Sequence, residues 1–256
     1  MHGHSAKFAD LSGASVFISG GGSGIGAALT RGFLEQGAHV AFIGRSDYSA
    51  FTDEVARETG LRPLAIRGDV TDTARLQAAI GEAEAAHGPL DVLINNAAND
   101  QRLEPMDVKD AEWDAMQAIN LKHFFFASQR AAETMRGRGG RIVNLSSIVS
   151  TLGSGELAVY ATAKAGIVGL TRSLSRAWGP DGIRVNALLP GMVLTQRQLD
   201  LWIDDEARDS MLARQDIKHA MSAEDMVGPT LFLASDASRM ITGQCLIADG
   251  GVVSGT

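Results

Sequence analysis

Ser15-Val-Phe-Ile-Ser19-Gly20-Gly-Gly-Ser23-Gly24-Ile25-Gly26 is the stretch whose reading decides the fold. An apolar run of strand length meets a glycine-rich turn, and a helical pattern follows over 24–36. The glycines let the backbone turn sharply and approach a pyrophosphate, whose charge is met by amide N–H groups at the helix start. Such a turn also serves plain helix packing. The strand before it and the helix behind it favour a dinucleotide, with Gly20, Ser23, Gly24, Ile25 and Gly26 as its contacts.

Outward from this point the same grammar repeats. Short apolar runs recur at 15–19, 38–43, 63–66, 90–94, 141–145, 183–189 and 244–248. Most lack polar alternation, as strands covered on both faces should. Between them lie helix patterns at 24–36, 47–59, 72–87, 111–136, 158–179 and 222–235. Strand and helix in alternation predict an α/β protein with a Rossmann-type, doubly wound parallel sheet and right-handed crossovers. No linker or repeat interrupts the pattern, so one domain over 1–256 is expected. Two helices look too apolar for a water-facing layer. Phe124, Phe125 and Phe126 cannot all face the sheet, because consecutive helical residues point about 100° apart. The helix 158–179 carries Ile167, Val168, Leu170, Leu174 and Trp178 around much of its girth. A subunit contact or cover from neighbouring helices would absorb these side chains.

Composition removes several function classes. The 256 residues carry a formal net charge of −7, which does not draw a nucleic acid or an acidic membrane to the average surface. No run approaches the roughly 18 apolar residues of a membrane span, and the first residues lack an apolar leader, so a cytoplasmic protein is expected. Cys245 is the single cysteine; its apolar surroundings suggest a buried, inert thiol and a reducing compartment.

The chemistry concentrates in a few positions. Thirteen residues separate Ser147 from Tyr160, and Lys164 follows the tyrosine by four. On a helix that spacing puts the ammonium on the phenol's face, where it and the positive ring of a bound nicotinamide would favour phenolate by opposite charge. A tyrosine has a reference pKa near 10, so a base near neutrality needs a fall of about 2–3 units, or about 3–4 kcal/mol. Tyr160, Lys164 and a hydroxyl from Ser147 are the parts that move a proton to or from a carbinol oxygen, with no metal needed. Ser146 is the weaker candidate for the hydroxyl. At the ribose end, the second strand runs into Gly44-Arg45-Ser46 with no acid at its tip. Arg45 pairs with a phosphate and Ser46 adds a donor, which leans towards NADP over NAD. Asp47 stands against this unless it caps the following helix. Asp69, followed by Val70, sits where a carboxylate could accept from an adenine amino group, a turn or cap being its other use. In Asn95-Asn96-Ala97-Ala98 an asparagine amide is suited to tying the crevice backbone together.

Taken jointly, these residues resemble the short-chain dehydrogenase/reductase family over essentially the whole chain. Its Thr-Gly-x-x-x-Gly-x-Gly is matched by Ser19, Gly20, Gly24 and Gly26, and its Asn-Asn-Ala-Gly by Asn95 to Ala98. Its catalytic Asn, Ser, Tyr and Lys are matched by Asn120, Ser147, Tyr160 and Lys164, and its Pro-Gly by Pro190-Gly191. The departures are Ser19 for threonine and Ala98 for glycine; the second would narrow the crevice or change its backbone angle. The resemblance implies a strand order 3-2-1-4-5-6-7, an NAD or NADP cofactor and a homotetramer. It also implies that Val193 and Thr195 meet the nicotinamide, that Asn96, Ala97, Pro190 and Gly191 border the cofactor, and that Asn120 anchors a water serving Lys164. A mobile lid over about 192–220 is implied as well.

The segments bordering the substrate are polar: Asn99, Asp100 and Arg102 after the fourth strand, then Arg197 and Trp202 after Pro190-Gly191. Carboxylate, amide and guanidinium groups suit a sugar's hydroxyls, and an aromatic suits its C–H face. The wording Asn-Asn-Ala-x-Asn-Asp-x-Arg with a later Thr-x-Arg-Gln resembles bacterial aldose 1-dehydrogenases of the xylose type. Arg102 and Arg197 leave room for an anionic sugar. Two alternatives stand beside an aldose 1-dehydrogenase: a 3-oxoacyl thioester reductase, and a non-catalytic nucleotide-sensing protein.

Overall fold

The computed structural model describes residues 6–201 and 204–253. Seven parallel strands form one sheet in the order β3-β2-β1-β4-β5-β6-β7. They are β1 Ser15–Ser19, β2 His39–Gly44, β3 Leu64–Arg67, β4 Val92–Asn95, β5 Gly140–Leu145, β6 Ile183–Pro190 and β7 Cys245–Ala248. The helices are α1 Gly24–Glu35, α2 Ser49–Thr59, α3 Thr73–His87, α4 Asp110–Gln117, α5 His123–Met135, the short α6 Val149–Leu152, α7 Ala158–Trp178, α8 Gln196–Leu201, α9 Asp205–Arg214 and α10 Val227–Ala234.

Strand periodicity sorts the core into two layers. Val16, Ile18, Val40, Phe42, Val92 and Ile94 point to one face, where α1 and α10 bring Leu29, Phe33, Val227 and Leu231. Their neighbours Phe17, Ala41, Ile43 and Leu93 point to the other, where α3 and α5 bring Leu76, Ile80, Ala127, Ala131 and Met135. Alternate side chains buried on opposite faces are what a sheet sandwiched between helices requires. Only the edges relax this. β7 is half-buried along its length, so Cys245 is half-buried rather than sealed in the core, and partial burial raises its thiol pKa.

The sheet order reverses between β1 and β4, and the crevice beyond their carboxyl ends is where an open α/β sheet receives a ligand. Buried amides fix this rim. Asn95 Nδ2 donates to Asn144 Oδ1 at 2.9 Å and to Ser128 Oγ at 3.1 Å, and Asn144 Nδ2 passes on to Thr171 Oγ1. The chain β4–β5–α7 is thus tied together just below the crevice.

The expected helix 111–136 is not continuous. A π-turn over Ala118–Lys122 separates α4 from α5. Its cause is Asn120, whose Nδ2 takes the Met116 carbonyl at 3.0 Å and so competes with the helix's own ladder. The phenylalanine run resolves in three ways: Phe124 is fully buried, Phe126 is half-buried, and Phe125 is 39% exposed. No helix among the described residues is long and apolar enough to cross a membrane.

Candidate active site

The glycine-rich turn folds as its residues require. Gly20 has φ +72° and Gly24 φ +51°, in the left-handed region that favours glycine. A Cβ on Gly26 would lie 1.9 Å from the Gly20 carbonyl oxygen. Ser19 Oγ accepts from the amides of Asn96 at 2.9 Å and Ala97 at 3.1 Å, so serine does the bridging a threonine hydroxyl would do. Asn96 Nδ2 donates to the carbonyls of Ser19 and Gly20, tying β4 to the turn. Ala98 fits without strain, because no non-glycine residue among those described has a positive φ.

A cleft of about 280 Å³ opens above this turn, lined by Gly20, Ser23, Ile25, Gly26, Arg45, Asp69, Val70, Asn96, Ala97 and Thr195. No side chain caps the start of α1 and no acid stands in its first turn, so its amide dipoles are left for an anion. Close-packed glycines, uncapped amides and a cation at the far end fit a nicotinamide dinucleotide.

At that far end the expectations divide. Arg45 reaches the cleft, 78% exposed, with Nη1 3.8 Å from Asp69 Oδ2. Asp69 spends its other oxygen on the amide and hydroxyl of Thr71, which hold its carboxyl below the usual range although burial opposes them. Asp47 accepts from the amide and hydroxyl of Ser49 at the start of α2, and it lines a groove beside the cleft. Ser46 does not line the cleft; it faces a neighbouring surface groove with Asp47, because the chain turns outward into α2. Tyr48 was not foreseen. Its ring packs against Gly22 and Gly44, where any Cβ would come within 2.2 and 2.5 Å of ring atoms, and it forms the wall of the cleft.

A second cavity, of about 380 Å³, adjoins the first. Ser147, Tyr160 and Lys164 line it together with Asp100, Arg102, Pro190, Gly191, Val193, Thr195 and Gln198. Ser147 therefore meets Tyr160 and Lys164 across one space. Ser146, by contrast, donates its hydroxyl to the Lys164 carbonyl at 2.8 Å and serves the packing of α7. Lys164 is 1% exposed; Nζ donates to the Leu145 carbonyl at 2.8 Å and lies 5.4 Å from the Tyr160 ring centre and 5.2 Å from that of Phe124. Phe124 is thus part of the lysine's aromatic slot.

In the chain alone, burial dominates the electrostatics of this pair. Burial pushes the Tyr160 phenol well above its ordinary value, and the Asp100 carboxylate adds to the rise. Burial also lowers Lys164 to about 7, with Asp100 opposing. Both groups are driven towards their neutral forms, since desolvating a charge outweighs attraction to a partner that is itself disfavoured as an ion.

Asn120 is fully buried, and its Oδ1 accepts the Asn99 amide at 2.8 Å while Nδ2 donates to the Asn99 carbonyl at 2.9 Å. The π-turn thereby grips the loop that carries Asn99 and Asp100. These two in turn hold the start of α8: Arg197 donates to Asn99 Oδ1 at 2.7 Å, and Gln198 Nε2 donates to Asp100 Oδ2. Arg197 is also 3.7 Å from Asp100 Oδ1, and Arg102 pairs with Glu156 at 3.0 Å. The two arginines expected to welcome an anion are both matched to acids. Trp202 lies outside the described residues. Gln198, the glutamine of the Thr-x-Arg-Gln wording, lines the second cavity, whereas Tyr48 and Phe124 were missed, and no motif or spacing singles them out as site residues. No group of three or more His, Cys, Asp or Glu able to hold a metal occurs among the described residues.

A dinucleotide cleft at a sheet's switch point, opening onto a tyrosine, a lysine and a serine, defines a nicotinamide-dependent oxidoreductase. The comparisons agree. A family model described as "Enoyl-(Acyl carrier protein) reductase" matches residues 20–253. The chain is 48% identical to the "Probable galactose dehydrogenase" of Rhizobium meliloti, over 97% of this chain and 98% of that one. It is 42% identical to the D-xylose 1-dehydrogenase of Caulobacter vibrioides, over 96% and 98% of the two chains. Among solved structures, a short-chain dehydrogenase/reductase from Serratia marcescens superposes with a TM-score of 0.88 at 34% identity, covering 96% of this chain and 100% of that one. The chain belongs to the short-chain dehydrogenase/reductase family and is an NAD(P)-dependent oxidoreductase.

Proposed function

We propose that this enzyme oxidises the anomeric C–OH of an aldose to the lactone, using NADP in preference to NAD. The observation that carries the reading is the small second cavity, whose floor holds Ser147, Tyr160 and Lys164 and whose walls carry Asp100, Arg102 and Gln198. These polar groups suit a sugar's hydroxyls, and Ile148, Val149, Leu152 and Met192 on the same walls suit its C–H faces. Similarity to proteins named for galactose and xylose supports the same substrate class.

In this reading Ser147 Oγ donates a hydrogen bond to the substrate oxygen. Tyr160 Oη takes the hydroxyl proton, and Lys164 steadies the phenolate that receives it. When bound, the nicotinamide supplies the carbon that accepts hydride and the positive charge that burial alone denies Tyr160. Asn120 holds the Asn99–Asp100 loop over the cavity, and residues 192–220 act as its lid, clasped at Gln198. The NADP preference rests on Arg45, on the absence of an acid at Gly44, and on the engagement of Asp47 with Ser49.

The test is a panel of aldoses, sugar acids and an acetoacetyl thioester, followed by nicotinamide absorbance with each cofactor. Turnover of one or more aldoses is expected, and Tyr160→Phe should lower kcat by about 10²–10⁴. Activity confined to the thioester overturns the substrate; cofactor binding without any turnover points to a sensor.

A further inference from the structure

Three of the charged groups lining the second cavity have partners within the chain. Asp100 accepts from Gln198 and lies near Arg197, Arg102 is bound to Glu156, and Lys164 is spent on the Leu145 carbonyl. Arg214, the last residue of α9, also lines this cavity. Its guanidinium has neither a hydrogen bond nor an ion pair to any described residue. It is exposed, so solvent hydrates it when no ligand is bound.

We propose that Arg214 is the specificity-determining residue for an oxyacid group on the sugar, so that the preferred substrate is an acidic aldose. The proposal rests on the aldose reading given above. A guanidinium is permanently charged and offers a planar fork that matches the oxygens of a carboxylate, phosphate or sulfonate in paired hydrogen bonds. Neutral hydroxyls would use its donors singly and leave its charge unanswered. The cavity is of a size for one monosaccharide, so a sugar whose C1 hydroxyl meets Ser147 and Tyr160 stays in the same space as Arg214. Arg102 and Arg197, already neutralised, cannot be the anion's receivers without breaking pairs with Glu156 and Asp100. The chain's net charge of −7 does not attract such a substrate at long range, so a local cation has to select it.

The experiment compares kcat/KM for neutral aldoses with that for their acidic counterparts, in wild type, Arg214→Leu and Arg214→Lys. The acids are D-galacturonate, D-glucuronate, D-glucose 6-phosphate and 6-deoxy-6-sulfo-D-glucose, so the arms separate carboxylate, phosphate and sulfonate. Wild type should prefer at least one acid over its neutral counterpart. Arg214→Leu should lower that acid-to-neutral ratio about 10- to 100-fold, as loss of a paired charge-assisted contact would, and Arg214→Lys should keep part of it. Because Arg214 is exposed at a helix end, both variants should fold, and an unchanged melting temperature checks this. Turnover of neutral aldoses with no acid preferred, or an acid preference that Arg214→Leu leaves intact, overturns this proposal and leaves the aldose reading standing. No turnover of any aldose, neutral or acidic, overturns both.

Discussion

Replacing Lys164 by methionine should change how stability depends on pH. In the native chain burial lowers the lysine from 10.5 to about 7, while in the unfolded chain it keeps the reference value. Between those two values the unfolded state binds the extra proton and the native state does not. Stability therefore rises with pH across this window. At about 1.36 kcal/mol per unit, and with Lys164 half-protonated at the start, the gain from pH 7 to pH 9 is about 2 kcal/mol. Methionine keeps a linear side chain between the Phe124 and Tyr160 rings, where sulfur packs well, and has nothing to titrate. Urea unfolding of both proteins at pH 7, 8 and 9 gives the difference directly. Cys245 ionises in the unfolded chain over the same range, but it does so in both proteins and cancels. Wild type should gain about 2 kcal/mol on the variant across the window. Parallel pH profiles would refute the claim that burial strips Lys164 of its charge.

Three further outcomes follow from the site's geometry. Gly26→Ala would put a methyl against the Gly20 carbonyl and the Asn96 amide; at the upper end of overpacking costs, about 3 kcal/mol of stability should be lost and coenzyme affinity with it, seen by thermal melting and fluorescence titration. Arg45→Ala should raise the KM for NADP about tenfold and leave that for NAD nearly unchanged, the low end for a charged hydrogen bond because the side chain is 78% exposed; equal effects on both would remove the NADP preference. Asn120→Ala orphans the Asn99 amide and the Asn99 carbonyl and should cost about 2–4 kcal/mol in urea unfolding, and Asn120→Asp, which keeps the Oδ1 acceptor but turns a buried carboxylate oxygen on the Asn99 and Met116 carbonyls, should cost at least as much.

Much of this was legible in the chain because local spacing writes it there. The seven strands announce themselves by short, largely apolar runs, and the turn at Gly20–Gly26 by its glycines between strand and helix. Ser147, Tyr160 and Lys164 were readable because one helix and one strand end suffice to bring them together. What could not be read depends on distant pairing. Arg197 looked available for substrate until Asn99 and Asp100, nearly a hundred residues earlier, were seen to hold it. Phe124 looked surplus to the core until it proved to flank Lys164. The π-turn escaped because periodicity over 111–136 is too coarse to register one side-chain amide displacing a helical bond. The upward push of burial on Tyr160 escaped because spacing reports which residues are near and not how far water is excluded around them.

The opening of α8 stands at a boundary between two compartments. Thr195 borders both, Arg197 faces the dinucleotide side, and Gln198 faces the substrate side. Redesign of substrate preference through these positions would carry a penalty in coenzyme handling, since adjacent residues of one short segment answer to both. Val149 and Leu152 of α6 and Arg214 at the end of α9 border only the substrate side, and it is there that a lineage or an engineer has latitude to retune the enzyme.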